Sequence, residues 1–232
     1  MAGRGAAVTL FARDAARLQE TVATLPGAGH RVRAVDFHDT EALREAARAE
    51  AAAGSVHVLV NNTGGPPGGA IVDATPEAFL SAFRAHLIGN HVLVQAFLPG
   101  MKQAGYGRIL NVISTSVKQP IPGLGVSNTV RAAVASWAKT LSVEVAPFGI
   151  TVNNLLPGYT RTQRLTSIAV ARAKAAGTTP EVILSGLESE VPAGRFGDPS
   201  ELAALAAFLA GPEAGYVNGT SIPVDGGRTS AL

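Results

Sequence analysis

The stretch WAKTLSVEVAPFGITVNNLLPG, residues 137–158, contains the transition that decides the fold. Its first half carries apolar residues at helical spacing and completes a helix predicted over 125–148. Its second half, ITVNNLLP at 150–157, is short and largely apolar, which is typical of a strand covered on both faces of a sheet. A helix that leads directly into such a strand belongs to a βαβ unit, from which parallel sheets are built.

The same alternation runs through the rest of the chain. Apolar runs predict further strands, and the periodic segments between them predict helices. This order predicts an α/β fold with a doubly wound, mostly parallel sheet of the Rossmann type, in one domain over 1–232. The other predicted strands are 6–12, 30–37, 56–62, 107–114 and 220–227, and the other predicted helices are 13–25, 39–53, 75–103, 164–189 and 198–211.

The composition is that of a globular protein with a substantial core. Of the 232 residues, 47% are hydrophobic and 16% are charged, and the formal net charge is +2. So small a charge, without a basic run of five or more residues, argues against a nucleic-acid partner. The chain contains no cysteine, which excludes disulfides and thiolate metal sites, and we predict no metal site.

Two further patterns concern the location of the protein. No stretch reaches about 18 consecutive apolar residues, so no membrane span and no membrane partner are predicted. The opening MAGRGAAVTLFARD lacks the long apolar region of a signal peptide. We therefore expect a soluble, cytoplasmic protein.

Five segments, in this order, resemble the short-chain dehydrogenase/reductase family, and most closely its 3-oxoacyl-carrier-protein-reductase-like group. The resemblance covers nearly the whole chain from residue 6 onward. It implies a Rossmann-type domain, an NAD or NADP cofactor, and the oxidation or reduction of an alcohol/carbonyl pair in a small molecule. The segments are VNNTGG (60–65), GRILNVIS (107–114), WAKTLSVEVAPFGITVNNLLPG (137–158), GRFGDPSELA (194–203) and GTSIPVDGG (219–227).

The resemblance implies four catalytic positions, of which one keeps the family's residue type. Ser114 matches the family's Ser, which orients the carbonyl. Ser127 stands where the family has its Tyr acid/base, Arg131 where it has the Lys that lowers the pKa of that Tyr, and His86 where it has an Asn that anchors a relay water. An aliphatic hydroxyl is a weaker acid than a phenol and is shorter by a ring. Ser127 is therefore either a replacement acid or a hydroxyl that lines the pocket.

Other side chains near these positions leave alternatives open. Arg131 either binds a ribose or carboxylate or is a surface arginine of its helix. Lys118 and Tyr159 lie beside the expected cleft and are alternative acids, although a solvated lysine and a packed aromatic ring are the simpler interpretations. His86 is interpreted as a core histidine with a satisfied hydrogen bond.

The resemblance also implies where the cofactor lies. In the family, an acid after the second strand favours NAD because it binds the ribose 2′-hydroxyl. Here that position is followed by an arginine, which favours a 2′-phosphate, so we predict NADP rather than NAD. The implied cofactor residues are Arg13 after this strand, Asp36 and Phe37 at the adenine, Asn62 and Gly64 in the loop beside the cofactor, and Pro157, Gly158 and Thr162 at the nicotinamide end.

The family's opening strand and its TGxxxGxG phosphate loop have no counterpart in the sequence. The segment 6–12 aligns instead with the family's second strand. Because the first strand is central in the family's sheet, its absence predicts a gap between two unpaired strand edges. Three explanations remain: strands 6–12 and 30–37 slide across to pair with 56–62, the chain is marginally stable, or the true start lies upstream, which we favour.

Two functions from different classes follow from these patterns. The first is NADP-linked reduction of a 3-oxoacyl-type or similar carbonyl by an atypical active site. The second is a non-catalytic binding or scaffold protein, the partner of an active paralogue. Small residues in RAAVASWAKT (131–140) permit close helix approach, and analogy with the family predicts a homodimer or homotetramer.

Overall fold

The computed structural model describes residues 1–231, and its elements follow the predicted alternation of strands and helices. The described part contains six strands, as predicted. The strands are β1 (Thr9–Ala12), β2 (Arg31–Ala34), β3 (Val58–Asn61), β4 (Gly107–Val112), β5 (Ile150–Pro157) and β6 (Ser221–Val224). The helices are α1 (Ala15–Ala23), α2 (Thr40–Ala53), α3 (Pro76–Phe83), α4 (Gly89–Ala104), α5 (Gly125–Val145), α6 (Gln163–Ala176), α7 (Pro180–Ser189) and α8 (Pro199–Leu209).

The strands form two separate parallel sheets rather than one. β1 pairs with β2, and the second sheet has the order β3–β4–β5–β6. Strands 6–12 and 30–37 therefore do not slide across to pair with 56–62, so the first of the three explanations is wrong. β1 and β3 each keep one unpaired edge, and Val60 of β3 is 40% exposed although its neighbour Leu59 is buried.

A shared hydrophobic core connects the two sheets. Phe11 of β1 packs against a cluster of buried side chains that includes Val35, Leu59 and Ile109, and α2 packs along α4 over the same core. Burying these side chains stabilises the arrangement by roughly 2 kcal/mol for each large residue. Apolar contact thus takes the place of a continuous hydrogen-bonded ladder between β1 and β3.

A buried carboxylate holds the first sheet against its helix. Glu50 of α2 is 1% exposed, accepts a hydrogen bond from the Thr9 hydroxyl at 2.8 Å, and is bound by the guanidinium groups of Arg31 and Arg33. Burial raises the pKa of Glu50, but the hydrogen bonds from Arg31 and Thr9 and the two positive charges outweigh it, so the pKa lies below its usual range. Glu50 therefore remains ionised and crosslinks β1 and β2.

Several predicted boundaries were wrong, and the reasons are local. The predicted helix 75–103 contains a π-helical turn at Arg84–Ile88, and such turns are frequent at functional sites. The predicted helix 164–189 divides because Gly177 ends α6 with φ 63° and Pro180 begins α7. Strands predicted to have seven or eight residues have four where only one neighbour is paired, as in β1, β2 and β3.

No helix within residues 1–231 combines the length and the hydrophobicity that crossing a bilayer requires.

Candidate active site

Two adjoining cavities lie beside the loops that follow β3, β4 and β5. The first, of about 740 Å³, is lined by residues from all three loops and from α5 and α8, and we call it the strand-end cavity. The second, of about 630 Å³, lies between the loop after β3 and helix α3, and we call it the loop cavity. Both are lined by Gly64, Gly65 and Pro66, so the two cavities adjoin the same loop. This is the edge of a parallel sheet at which ligands bind in α/β folds.

Most of the residues that the sequence singled out line the strand-end cavity, but His86, Lys118 and three of the predicted cofactor residues do not. Arg13 lines the loop cavity, while Asp36 and Phe37 line neither. Phe37 packs against the core, and Asp36 accepts hydrogen bonds from the backbone N–H and ring of His38. The residues that line the strand-end cavity are Asn62, Gly64, Ser114, Ser127, Arg131, Pro157, Gly158 and Thr162.

The two serines enter the cavity from different elements. Ser114 follows β4, and its Oγ accepts a hydrogen bond from the backbone N–H of Ser116 at 3.0 Å, which caps the turn Thr115–Val117. Ser127 lies in the first turn of α5. Gly125 is the first residue of that helix, and a β-carbon there would stand 2.4 Å from the β-carbon of Ile71. The glycine thus permits the close approach between the start of α5 and Ile71.

Arg131 is buried, so its interpretation as a surface arginine is wrong. It is 8% exposed, and it donates hydrogen bonds to the carbonyl oxygens of Val112 at 3.0 Å and Thr63 at 3.3 Å. Burial, and then the nearby charge of Arg164, lower the pKa of Arg131 to about 10. The side chain therefore stays positively charged at neutral pH and joins the ends of two neighbouring strands at the cavity floor.

His86 lies in the π-helical turn between α3 and α4. It is 2% exposed and lines the loop cavity, and its Nδ1 is hydrogen-bonded to the Thr63 hydroxyl. Burial, followed by the charge of Arg131, lowers the pKa of His86 to about 4, so the ring is neutral at neutral pH. The structure thus confirms a buried histidine with a hydrogen-bond partner.

The two alternative acids differ in their placement. Lys118 lines neither cavity. Tyr159 lines the strand-end cavity, but its hydroxyl donates to Glu190 at 3.1 Å, and its ring lies under the guanidinium of Arg228 at 4.2 Å. Burial is the largest cause that raises the pKa of Tyr159 above its ordinary value. Tyr159 is therefore a packed, hydrogen-bonded ring, in line with the simpler interpretation.

A row of hydrogen-bonded polar side chains, three asparagines and one serine, crosses all four strands of the second sheet, and the sequence analysis missed it. Asn61 donates to Asn111 at 2.8 Å, Asn111 to Asn154 at 3.0 Å, and Asn154 to Ser221 at 3.1 Å. These residues are register partners, and we call them the asparagine rung. The Oδ1 atom of Asn61 is buried without a partner, at the end of the rung where β3 has an unpaired edge. The rung fixes the strand ends from which the cavity loops depart.

Arg164 is a second functional candidate that the sequence analysis missed. It lies at the start of α6, lines the strand-end cavity, and donates to the carbonyl oxygen of Pro66 at 3.0 Å. This contact connects α6 with the loop after β3 across the mouth of the cavity. In the sequence Arg164 is one of two arginines in TRTQR, and nothing in that pattern distinguishes it from Arg161.

Fold and cavity together define a Rossmann-type α/β protein with a cavity at the strand ends. A family model described as enoyl-(acyl carrier protein) reductase matches residues 1–229. Oxidoreductase UcpA of Escherichia coli K12 is 34% identical over 240 residues, which cover 98% of this chain and 90% of that one. The chain belongs to the short-chain dehydrogenase/reductase family.

Solved structures agree with this assignment. An actinorhodin polyketide ketoreductase with NADPH has a TM-score of 0.93 and 30% identity, covering 99% of this chain and 90% of that chain. An NADPH-bound short chain oxidoreductase from Pseudomonas aeruginosa PAO1, described as containing an atypical catalytic center, has a TM-score of 0.87 and 29% identity over the same shares. Solved relatives of this chain therefore include NADPH-bound reductases.

Proposed function

We propose that this protein is an NADP-linked reductase of a small carbonyl compound with an atypical catalytic set. One observation carries the proposal: Ser114, Ser127 and Arg131 line a single cavity at the strand ends. The NADPH-bound ketoreductase among its structural relatives supports both the cofactor and a 3-oxoacyl-type carbonyl. The established family and the position of the cavity are consistent with this chemistry.

The residues around the cavities fit the nicotinamide end of NADP, and fit its phosphates less well. Open space surrounds Gly64, since no heavy atom lies within 4 Å of the point that a β-carbon would occupy there. Pro157, Gly158 and Thr162 line the same cavity as Gly64. Arg13 at the loop cavity offers a guanidinium to a 2′-phosphate, but Asp36 competes for it at 3.9 Å. Residues 1–231 offer no TGxxxGxG loop for the pyrophosphate.

When bound, NADPH supplies the hydride that reduces the carbonyl carbon. Ser114 donates a hydrogen bond to the carbonyl oxygen, and the positive charge of Arg131 stabilises the negative charge that develops there. Ser127 is too weak an acid to act alone, so its hydroxyl passes on a proton from water rather than serving as the source. The family's single tyrosine is thereby replaced by a charged donor and a hydroxyl relay.

A non-catalytic binding or scaffold protein is the second candidate, and one observation favours it. Two donors of Arg131 are already used by the carbonyl oxygens of Val112 and Thr63, which is what a structural brace does. In that case the cavity is a remnant of the family's site, and neither Ser114 nor Ser127 handles a substrate.

Calorimetric titration of the 232-residue protein with NADPH, followed by a turnover assay, separates the two candidates. For a reductase we expect saturable binding of NADPH, weaker binding of NADH, and NADPH oxidation with a 3-oxoacyl compound. Ser114→Ala should lower kcat about 10- to 100-fold while NADPH affinity stays the same, because the serine acts on the carbonyl. A folded protein that binds neither cofactor refutes the reductase and leaves the binding protein.

We also propose that the chain forms a homodimer or homotetramer. Leu80 of α3 is 64% exposed and Val143 of α5 is 67% exposed, and α5 also contains the segment 131–140, whose small residues permit close helix approach. Large apolar side chains on such helices favour association. Sedimentation velocity of the wild-type protein at micromolar concentration tests this, and a monomer there refutes it.

A further inference from the structure

All charged side chains that line the strand-end cavity are positive. The lining includes Arg131, Arg164 and Arg228, and it includes no aspartate or glutamate. Arg228 is neutralised, because its guanidinium lies 2.8 Å from Glu190. Within residues 1–231, neither Arg131 nor Arg164 has a carboxylate within 4.0 Å. Two positive charges therefore border this cavity without a counter-ion.

These two guanidinium groups converge on one point. A β-carbon placed on Gly65 would lie 3.7 Å from an Nη2 atom of Arg131 and 3.9 Å from that of Arg164. Arg131 is held by the carbonyl oxygens of Val112 and Thr63, and Arg164 is held by that of Pro66. The space beside Gly65 is thus bordered by a buried guanidinium, that of Arg131, and an exposed one, that of Arg164.

Holding like charges together is unfavourable unless something compensates them. Burial lowers the pKa of Arg131, and the nearby charge of Arg164 lowers it further, so both burial and this neighbour oppose the positive charge of Arg131. Main-chain carbonyl groups satisfy hydrogen bonds but do not cancel the charge. An anionic group between the two guanidiniums would remove the repulsion and accept charge-assisted hydrogen bonds from both.

We propose that Arg131 and Arg164 form a binding site for one carboxylate or phosphate group, and that the substrate is an anionic carbonyl compound. The statement about the substrate rests on the proposed reductase function, whereas the anion site does not. The same chemistry has a second source, because the phosphates of the cofactor are anions too. The experiments below separate these sources.

Binding of inorganic phosphate, measured by calorimetry without cofactor, tests the site directly. We expect wild-type protein to bind phosphate with a saturable isotherm, and Arg164→Gln to bind it at least tenfold more weakly, because one charged donor is lost. Arg161→Gln is the matched control: Arg161 is exposed as Arg164 is and carries the same charge three residues away, but it lines neither cavity. Its affinity should stay within twofold of wild type. Equal affinity in all three proteins, or no saturable binding, overturns the proposal.

Gly65→Ala provides a second test that retains both arginines. The added methyl group makes ordinary contacts of 3.7 and 3.9 Å, and Gly65 does not have a positive φ, so the variant should fold. The methyl group occupies the point at which the guanidiniums converge. We therefore expect phosphate affinity to fall at least tenfold with an unchanged melting temperature. Unchanged affinity in this variant contradicts the placement of the anion.

Two further measurements identify the source of the anion. Phosphate titration in the presence of saturating NADPH should give the same affinity if the site serves the substrate, whereas its loss there assigns the site to the cofactor and overturns the substrate statement. In turnover, acetoacetate should have a kcat/KM at least tenfold above that of methyl acetoacetate, and Arg164→Gln should abolish this preference. Equal turnover of acid and ester overturns the anionic substrate but leaves the reductase. No turnover of either, with phosphate binding intact, refutes the reductase and supports the anion site.

Discussion

Replacing Asn111 by leucine interrupts the asparagine rung at its centre. Asn111 is fully buried, and both ends of its amide are used, one towards Asn61 and the other towards Asn154. The leucine leaves a donor of Asn61 and an acceptor of Asn154 without their partners. Each orphaned group costs about 1–3 kcal/mol, and the additional apolar burial returns about 1 kcal/mol. We therefore expect the free energy of unfolding to fall by about 3 kcal/mol.

Asn61→Leu is the matched comparison, because it removes the end of the rung instead of its centre. It orphans only the Oδ1 atom of Asn111, and it also removes an Oδ1 atom of Asn61 that has no partner. The expected loss of unfolding free energy is about 1 kcal/mol, clearly smaller than for Asn111→Leu. The order of the two losses is thus a direct consequence of the unpaired edge of β3.

Urea unfolding, followed by circular dichroism, measures both losses. The m value should stay at its wild-type level, since neither variant changes the surface that unfolding exposes. Should Asn61→Leu cost as much as Asn111→Leu, the buried Oδ1 of Asn61 has a partner and the rung does not end at β3. A loss below about 1 kcal/mol for Asn111→Leu would refute the rung as a source of stability.

The remaining predictions concern pH, an ion pair and two glycines. The pKa of His86, about 4 in the folded protein, lies below its ordinary value, so the unfolded chain takes up a proton that the folded chain refuses. The free energy of unfolding should therefore fall by about 3 kcal/mol as the pH drops from about 6.5 towards 4. In His86→Gln this pH-dependent loss should be absent. Identical pH profiles of the two proteins would refute the assignment to His86. Glu50→Gln should lower the free energy of unfolding, measured in urea, by about 2 kcal/mol. The reason is that Arg31 and Arg33 lose their shared carboxylate but stay partly hydrated. An unchanged free energy of unfolding contradicts the crosslink. Gly125→Ala should destabilise the protein by about 2 kcal/mol, because the added methyl group clashes with Ile71. Gly186→Ala lies in open space within α7 and should stabilise the protein by about 0.5–1 kcal/mol. Melting temperatures that shift in the same direction for both variants contradict the clash.

The sequence predicted the parts of the fold in which local pattern and tertiary packing agree. β5 was predicted residue for residue, because ITVNNLLP is paired on both sides and covered on both faces. α5 was predicted to begin at its observed residue for a similar reason, since its apolar positions face the core along its whole length. Where a strand has one neighbour, as in β1, hydrophobicity overestimates length, because pairing and not composition decides where a strand ends.

Residues of the candidate site were predictable where their main-chain position beside a strand end places them in the cavity. Residues whose role depends on a contact between a long side chain and a distant segment were harder to predict. The family resemblance predicted Ser114 and Ser127 as site residues, and both line the cavity, one after β4 and the other at the start of α5. The burial of Arg131 could not be predicted, because helical position alone does not show that two carbonyl groups approach from other strands. Arg164 was missed since its role depends on a contact with Pro66, 98 residues away in the chain.

Because of the gap between β1 and β3, we expect the protein to unfold as two cooperative units. Within the described residues, no main-chain hydrogen bond joins residues 1–55 to residues 56–231. The seam between the units is closed by apolar contacts, and hydrophobic attraction weakens on cooling, whereas a hydrogen-bonded ladder would not weaken in the same way. The amino-terminal unit, which carries Arg13, can thus open by itself at low temperature while the unit that carries Ser114 stays folded. Native-state hydrogen exchange should then detect two protection classes whose separation grows as the temperature falls.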